Sequence, residues 1–313
     1  MNLQQFRFVR ETIRQNFNLT EAARVLYTSQ PGVSKAIIEL EEELGIKIFE
    51  RHGKRLKGLT QPGAAVAQVI ERIMGEVDNL SRISDEFAHH DEGSLVIGCT
   101  HAQARYFLPK VIPGFRERFP KVHLSLAEGS PPTIAQMVLH EKADLAIATE
   151  TLAITPGLVS MPVYAWQHTV VVRPDHPLAD LPNRSDALTL QELAKYPIVT
   201  YNTAFSGRPA IDEAFAKAGL EPDIVLAALD ADVIKTYIDV GLGIGIIAGM
   251  AFDPPRDKNL VGLPAGHLFG THYTHVAVRE GSFMRDYLYL FLEMLNPELT
   301  RSHVESKLGL VEL

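Results

Sequence analysis

Two sets of side chains in this 313-residue chain have types and spacings suited to chemistry, and both suit binding better than bond-breaking. The first is Ser29, Gln30, Ser34 and Lys35, followed by Arg51, Lys54, Arg55 and Lys57. A glutamine can pair bidentately with an adenine edge, a serine can donate or accept, and a lysine can reach guanine or a phosphate. The basic residues around Gly53 would contact phosphates or reach into a minor groove, supplying salt-dependent affinity. The second set is Thr100, Ser130, Thr133, Thr149, Thr200, Asn202 and Thr203, with Gln103 on the helix that Thr100 opens. Hydroxyls and amides at strand C-termini and helix N-termini make a neutral anion site, because free backbone N–H groups point at the guest. No acid–base or nucleophile–base arrangement can be located in the second part of the chain, which weighs against an enzyme.

The elements that must position the first set occupy residues 1–60. Leu3, Phe6, Val9 and Ile13 recur at helical spacing. Leu19-Thr20 opens a second helix with Ala22, Ala23, Val25 and Leu26 on its apolar face. Tyr27-Thr28 breaks that pattern. A third helix starts near Ser29-Gln30-Pro31, with Thr28 or Ser29 as cap and Pro31 in the first turn. Val33, Ile37 and Leu40 supply its buried face. Helix, tight turn and helix is the arrangement that sets the second helix in a major groove with its N-terminal residues against the bases. Arg51 to Gly58 then reads as a basic two-strand wing turning at Gly53. The run Glu41-Glu42-Glu43 must face away from DNA or pair locally.

Charge follows this division. The whole chain carries −8, an unpromising balance for a nucleic-acid binder, yet residues 1–60 hold ten Lys/Arg against seven Asp/Glu. Residues 60 to about 88 keep apolar steps of three and four through Ala64, Ala67, Ile70, Ile73 or Met74, Val77, Leu80, Ile83 and Phe87. Such an amphipathic helix needs a partner. It either packs on its own domain or dimerises, and its length and position favour a dimerising linker. Beyond the polar break His89 to Gly93, short buried strands alternate with helices in two blocks. This predicts an α/β domain with largely parallel pairing, two lobes flanking a cleft, and a return to the first lobe after about residue 268. Residues 297–313 form a tail or an added helix.

Other residues invite chemistry that their surroundings discourage. Twelve histidines form no local metal pattern such as His-Glu-x-x-His, so no metal site is expected. The single cysteine, Cys99, excludes an intrachain disulfide framework and falls in a buried strand, whereas a redox sensor needs an exposed thiol of low pKa. Gly241, Gly243 and Gly245 follow a helix, so they suit a tight helix-to-strand connection and not a dinucleotide fingerprint. Without a signal-peptide core or an uninterrupted apolar stretch of 18 residues, the chain is expected to be cytoplasmic, with no membrane partner.

Together these residues resemble a LysR-type transcriptional regulator over nearly the whole chain. The resemblance is carried by Leu3-Gln4-Gln5-Phe6, by Ala22-Ala23 with Thr28-Ser29-Gln30-Pro31 and Val33-Ser34, and by Leu44-Gly45, Phe49-Glu50-Arg51, Leu59-Thr60 and Gly63. Within the family it is most similar to the cysteine-regulon activators and their sulfur-assimilation relatives. The matching stretches are Thr100-His101 with Gln103-Ala104-Arg105-Tyr106, Ala146 to Glu150, Pro197 to Tyr201, and Asp230-Ala231-Asp232-Val233-Ile234-Lys235-Thr236-Tyr237. The resemblance implies an α/β chain with three parts. Residues 1–60 would be a winged helix-turn-helix domain and residues 61–90 a dimerising linker helix. Residues 91–313 would be a two-lobed effector domain of periplasmic-binding-protein type, lobe I at about 91–163 and 268–300 and lobe II at about 164–267.

It also implies a transcription factor without enzyme activity or cofactor, assembled as a dimer of dimers on double-stranded promoter DNA, with RNA polymerase as a further partner. Carried over from the family, Thr100, Gln103, Thr149 and Asn202 would hold the effector, with Ser130 and Thr203 beside them and Thr236 a weaker candidate. Acetylserine, sulfate or thiosulfate, and adenosine phosphosulfate are the effectors this implies, the last in relatives that control organosulfonate use. Two positions depart from the subgroup: Ala102, where Thr is usual, and Asn202, where Thr or another residue is commoner. Either change could alter which sulfur compound is read. The competing reading is a cytosolic binding protein or enzyme with an N-terminal oligomerisation domain. Such a domain has no reason to expose Ser29, Gln30 and Ser34 beside four basic wing residues.

Overall fold

The computed structural model describes residues 1–53, 55–88, 92–180, 188–203 and 207–309, with the backbone alone for 85–88. Lys54 lies outside the described residues. The chain divides into two compact units, Met1–Ala88 with Gly281–Arg285, and His89–Glu280 with Asp286–Leu313.

In the first unit, α1 (Leu3–Arg14) begins at a capping box in which the Asn2 side chain accepts from Gln5 N–H and the Gln5 side chain accepts from Asn2 N–H. Its buried stripe is Phe6, Phe8, Val9 and Thr12, while Leu3 is half exposed at the helix end. Asn18 caps α2 (Leu19–Val25), and Ser29 caps α3 (Gln30–Leu44) with Pro31 in its first turn. Of the two candidate caps, then, Ser29 is used, a contribution of about 1 kcal/mol. The wing is β1 (Phe49–His52) paired antiparallel with β2 (Arg55–Leu59). Val33, Ile37, Leu40, Ile48 and Phe49 bury completely or nearly so beneath these elements.

The linker helix α4 (Gln61–Ala88) sets Ile70 and Met74 into this same core. Arg10 meets Asp78 at 2.6 Å and Arg14 meets Glu71 at 2.9 Å, so part of the helix packs on its own unit through α1. Val69 and Leu80 remain exposed. Asn79 is buried and holds the 281–285 segment, donating to Gly281 O at 2.7 Å and accepting from Phe283 N at 2.8 Å.

The second unit opens with β3 (Gly93–Cys99), after which a helical stretch begins at His101. It passes through one π turn at Gln103–Phe107 and one 3₁₀ turn at Leu108–Lys110 into α5 (Ile112–Arg118). Pro109 and Pro113 stand in the first turns of the last two segments, where a missing N–H is tolerated. There follow β4 (Val122–Glu128), α6 (Pro131–Leu139), β5 (Leu145–Ala148) and β6 (Leu158–Val172). Next come α7 (Leu190–Leu193), β7 (Ile198–Tyr201), α8 (Gly207–Lys217), β8 (Ile224–Ala228), α9 (Ala231–Asp239) and β9 (Ile244–Ala248). The unit closes with β10 (Val261–Pro264), α10 (Gly266–Phe269), β11 (Thr271–Arg279), α11 (Asp286–Leu295) and α12 (Arg301–Leu308).

The strands run in the order β4-β3-β5-β11-β6-β9-β7-β8, with β10 also on β6. Pairing is parallel within each lobe's outer strands but antiparallel wherever β6 or β11 takes part. The expected largely parallel sheet is therefore only half of the pattern. The reason is β6, which serves both lobes: Leu158 to Gln167 pair with β11, and His168 to Val172 pair with β9 and β10. Val170 and Val172 face one core of the second lobe and Val171 the other, the alternation of a strand buried on both sides. The expected glycine connection after α9 is present: at Gly243, φ +151°, a side chain would strike Pro197 O at 2.1 Å.

Candidate functional site

The sequence-selected residues gather in two places, one in each unit. On the first, the N-terminus of α3 presents Gln30, Ser34 and Lys35 around a shared surface hollow with Pro31, Ile38, Glu39 and Glu42. Gln30 also borders a second hollow with Asn18, Thr20 and Arg55, so the wing and both helices of the motif meet beside it. Ser29 spends its acceptor on Gly32 N at 3.3 Å, which fixes the start of the helix. Lys35 pairs with Glu39 at 3.7 Å in the open, a contact of little strength that a phosphate would displace. Arg51 is held differently. Its guanidinium lies 3.7 Å from Glu41, whose fully buried carboxylate also accepts from Ile48 N at 2.9 Å and Phe49 N at 3.1 Å. One acid of the expected Glu41-Glu42-Glu43 run thus pairs locally and ties α3 to the wing. Tyr27, read in the sequence only as a break, is 98% exposed at the turn between α2 and α3 with φ +50°.

In the second unit, a cavity is bordered by Thr100, His101, Ala102, Gln103 and Thr149 on one lobe, with Trp166 on β6. From the other lobe come Tyr201, Gly207, Leu229, Asp230, Ala248 and Met250. It encloses about 500 Å³ of atom-free space, part of it open to solvent. Thr100 and Thr149 stand just beyond the ends of β3 and β5, where strand C-termini open the crevice. Gln103 is 3% exposed: its carbonyl accepts from Tyr164 Oη at 2.8 Å, and its amide donates to Thr274 Oγ1 at 3.3 Å. Among the described residues its remaining N–H faces the weak acceptor Met250 Sδ at 3.9 Å, a contact that a better acceptor would replace.

Three of the six sequence-selected effector residues, Thr100, Gln103 and Thr149, converge here. Ser130, Asn202 and Thr203 are not among the lining residues. Ser130 caps α6 by position, but its hydroxyl pairs with Thr133 at 2.9 Å. Thr236 bonds the Asp232 carbonyl of its own helix at 2.8 Å. Trp166, Tyr201, Leu229 and Met250 escaped the sequence reading because an apolar residue at a strand end looks the same whether it lines a core or a crevice. Ala102, the first departure from the subgroup, does line the cavity.

Beside the cavity the two lobes are clasped by charge. Asp232, in the first turn of α9, accepts from Tyr106 Oη at 2.7 Å and meets Arg105 at 2.7 Å and His101 Nε2 at 3.1 Å. His101 Nδ1 is 2.9 Å from Glu128. Burial works against charge on His101, but its bonds to Asp232 and Glu128 prevail and raise its pKa. Burial likewise opposes charge on Asp232, and the Tyr106 and His101 bonds outweigh it, lowering that pKa. Lys235, 8% exposed, completes the clasp through Tyr106 Oη and Asp257 Oδ1, each at 2.9 Å.

His101, Asp230 and Asp232 offer donor atoms within 4.8 Å of one another. With Asp232 already committed to two cations and a phenol, and Asp230 capping α9 through Val233 N, this group is an ion-pair network and not a metal cage. Cys99, fully buried in β3, has its thiol pushed up to about 12 by burial and by Glu128, which fits a core residue. No helix among the described residues is long and apolar enough to cross a membrane.

A winged helix-turn-helix, a linker helix and a two-lobed α/β domain with a crevice at its strand ends define a ligand-responsive DNA-binding regulator. Residues 3–64 match the bacterial regulatory helix-turn-helix protein, lysR family, and residues 88–300 match the LysR substrate binding domain. The chain belongs to the LysR family, whose members are DNA-binding transcription factors and not enzymes. It is 56% identical over 308 residues to the HTH-type transcriptional regulator CysB of Burkholderia cenocepacia, covering 98% of this chain and 97% of that one. It is also 56% identical over 304 residues to the HTH-type transcriptional regulator SsuR of the same species, covering 97% of each. Among solved structures, the cofactor-binding domain of the Cbl transcriptional regulator matches with a TM-score of 0.65 and 42% identity, over 69% of this chain and 93% of that domain.

Proposed function

We propose that this regulator controls genes of sulfur assimilation and cysteine biosynthesis, reading promoter DNA with α3 and the wing and sensing a small sulfur-related metabolite or anion between its lobes. Ser29, Gln30, Ser34, Lys35, Arg51, Lys54 and Arg55 form the DNA-reading set, and the working assembly is a dimer of dimers in the cytoplasm that engages RNA polymerase. The observation that carries the effector reading is the meeting of Thr100, Gln103 and Thr149 on one inter-lobe cavity. Hydroxyls and an amide there offer an anion neutral donors. Asn202, Ser130 and Thr203 would join them by closing on a bound guest. The resemblance to cysteine-regulon activators, together with the full-length similarity to CysB and SsuR, supports the sulfur assignment.

A second reading, control of organosulfonate use through adenosine phosphosulfate, draws on a different feature of the same cavity. Trp166, Leu229, Ala248 and Met250 supply an apolar and aromatic wall that a bare sulfate does not need and that a base can stack on. Titration calorimetry of the chain with acetylserine, sulfate, thiosulfate and adenosine phosphosulfate separates the two. Selective binding of the nucleotide favours the second reading, and preference for acetylserine or the simple anions favours the first. Thr100→Ala is expected to weaken the preferred ligand about tenfold while leaving DNA binding intact. Binding indistinguishable from the unmutated chain would remove Thr100 from the site.

A further inference from the structure

The cavity has a neutral side and a charged one. On one lobe it offers the hydroxyls of Thr100 and Thr149 and the amide of Gln103, and on the other the segment between β8 and α9 contributes Leu229 and Asp230. Asp230 is the one carboxylate among the lining residues. It stands beyond the end of β8 as Thr100 and Thr149 stand beyond the ends of β3 and β5, so strand C-termini of both lobes bring polar groups to one crevice. His101, the basic side chain of the lining, is committed to Glu128 and Asp232 at 2.9 and 3.1 Å.

Asp230 is less fully committed. Its Oδ1 accepts from Val233 N at 2.8 Å and so caps α9, while Oδ2 has no hydrogen bond or ion pair among the described residues. The cap does not require the charge, because Asn and Ser cap a helix about as well as Asp. A bare oxyanion gains nothing from a carboxylate here, since like charges near a protein surface repel more strongly than in bulk water. The arrangement suits a guest that turns a hydrogen toward this side. We propose that Asp230 is a specificity-determining residue of the effector site, its free carboxylate oxygen accepting an N–H or O–H of the bound molecule while the anionic end lies toward Thr100, Gln103 and Thr149. The ligand class is then an anion that also carries a hydrogen-bond donor. Acetylserine has N–H donors and the adenosine nucleotide has ribose hydroxyls, whereas ionised sulfate and thiosulfate have none. The inference rests on the effector reading of the cavity and narrows it.

The test is titration calorimetry of the full-length protein with sulfate, thiosulfate, acetylserine and adenosine phosphosulfate, comparing the unmutated chain with Asp230→Asn and Asp230→Ser. Both variants keep a capping oxygen, so the thermal midpoint without ligand should be unchanged. The unmutated chain is expected to bind acetylserine or the nucleotide more tightly than either bare anion. That ligand should lose about tenfold or more in both variants, because a hydrogen bond to a charged acceptor is removed. Sulfate and thiosulfate should bind the variants as well as before or better. Undiminished affinity for the donor-bearing ligand overturns the proposal and leaves the cavity reading standing, as does an unmutated chain that prefers a bare anion. Equal losses for every ligand, or a loss accompanied by a lower thermal midpoint in both variants, mark a structural role and overturn it too. Failure of all four ligands to bind the unmutated chain overturns the cavity reading and this proposal together.

Discussion

Gln30 and Arg55 border the same hollow but act on DNA in different ways. Gln30→Ala is expected to cost about 1–3 kcal/mol on the cognate operator and much less on random DNA, because an amide discriminates bases. Arg55→Ala should weaken binding to all sequences and reduce the salt slope by about 1. Binding isotherms on both kinds of DNA at several salt concentrations check the pair. Equal losses for Gln30→Ala on the two DNAs would end its base-reading role. Glu41 is the residue whose importance the sequence concealed. It stood in an acidic run expected only to face away from DNA or pair locally, and its carboxylate is wholly buried on the Ile48 and Phe49 amides where the chain enters the wing. By contrast, the hydroxyls Thr100 and Thr149 were legible, because a threonine directly after a buried strand has a defined place in a crevice. The clasp was legible only as a motif: His101 and Asp232 lie 131 positions apart, and no local spacing brings them together.

At the scale of elements, the helices of the first unit were read closely because caps and breakers mark their ends: Asn18, Ser29 with Pro31, and Gly45. The strands that cross between lobes left weaker marks. β6 carries Pro162 and a mixed first half, and the proline falls at the register shift opposite Thr274 and His275, where the ladder tolerates a missing donor. β11, with its histidines and threonines, also lacks the apolar run that revealed β3, β5 and β9. The question of what α4 packs against is answered in part by Arg10–Asp78. Asp78→Ala is expected to destabilise the first unit by about 2 kcal/mol, below the figure for a fully buried pair because the carboxylate is partly exposed. Denaturant melts followed by a probe in that unit measure it. A loss no larger than that of an exposed-pair control would mean that Arg10–Asp78 adds nothing to the hold of α1 on α4, which Arg14–Glu71 and the apolar contacts then supply.

At the scale of the molecule, the clasp around Asp232 makes the joining of the lobes sensitive to pH. His101 has its folded-state pKa raised, so its contribution is complete below the unfolded value of about 6.5 and is lost as pH rises through the higher folded value. Between about pH 6 and about pH 8 the thermal midpoint of the second unit is therefore expected to fall further in the unmutated chain than in His101→Gln. Parallel falls in the two proteins would show that His101 carries no net linkage. Cys99 adds something of a different kind. A lone thiol at the end of β3, next to Thr100 and almost never a thiolate while folded, reacts with a thiol reagent only when that strand is released. Its labelling rate is a built-in clock for local opening of lobe I. A ligand held by Thr100 should slow that clock by the factor 1 + [L]/Kd, so affinity can be read without any attached probe.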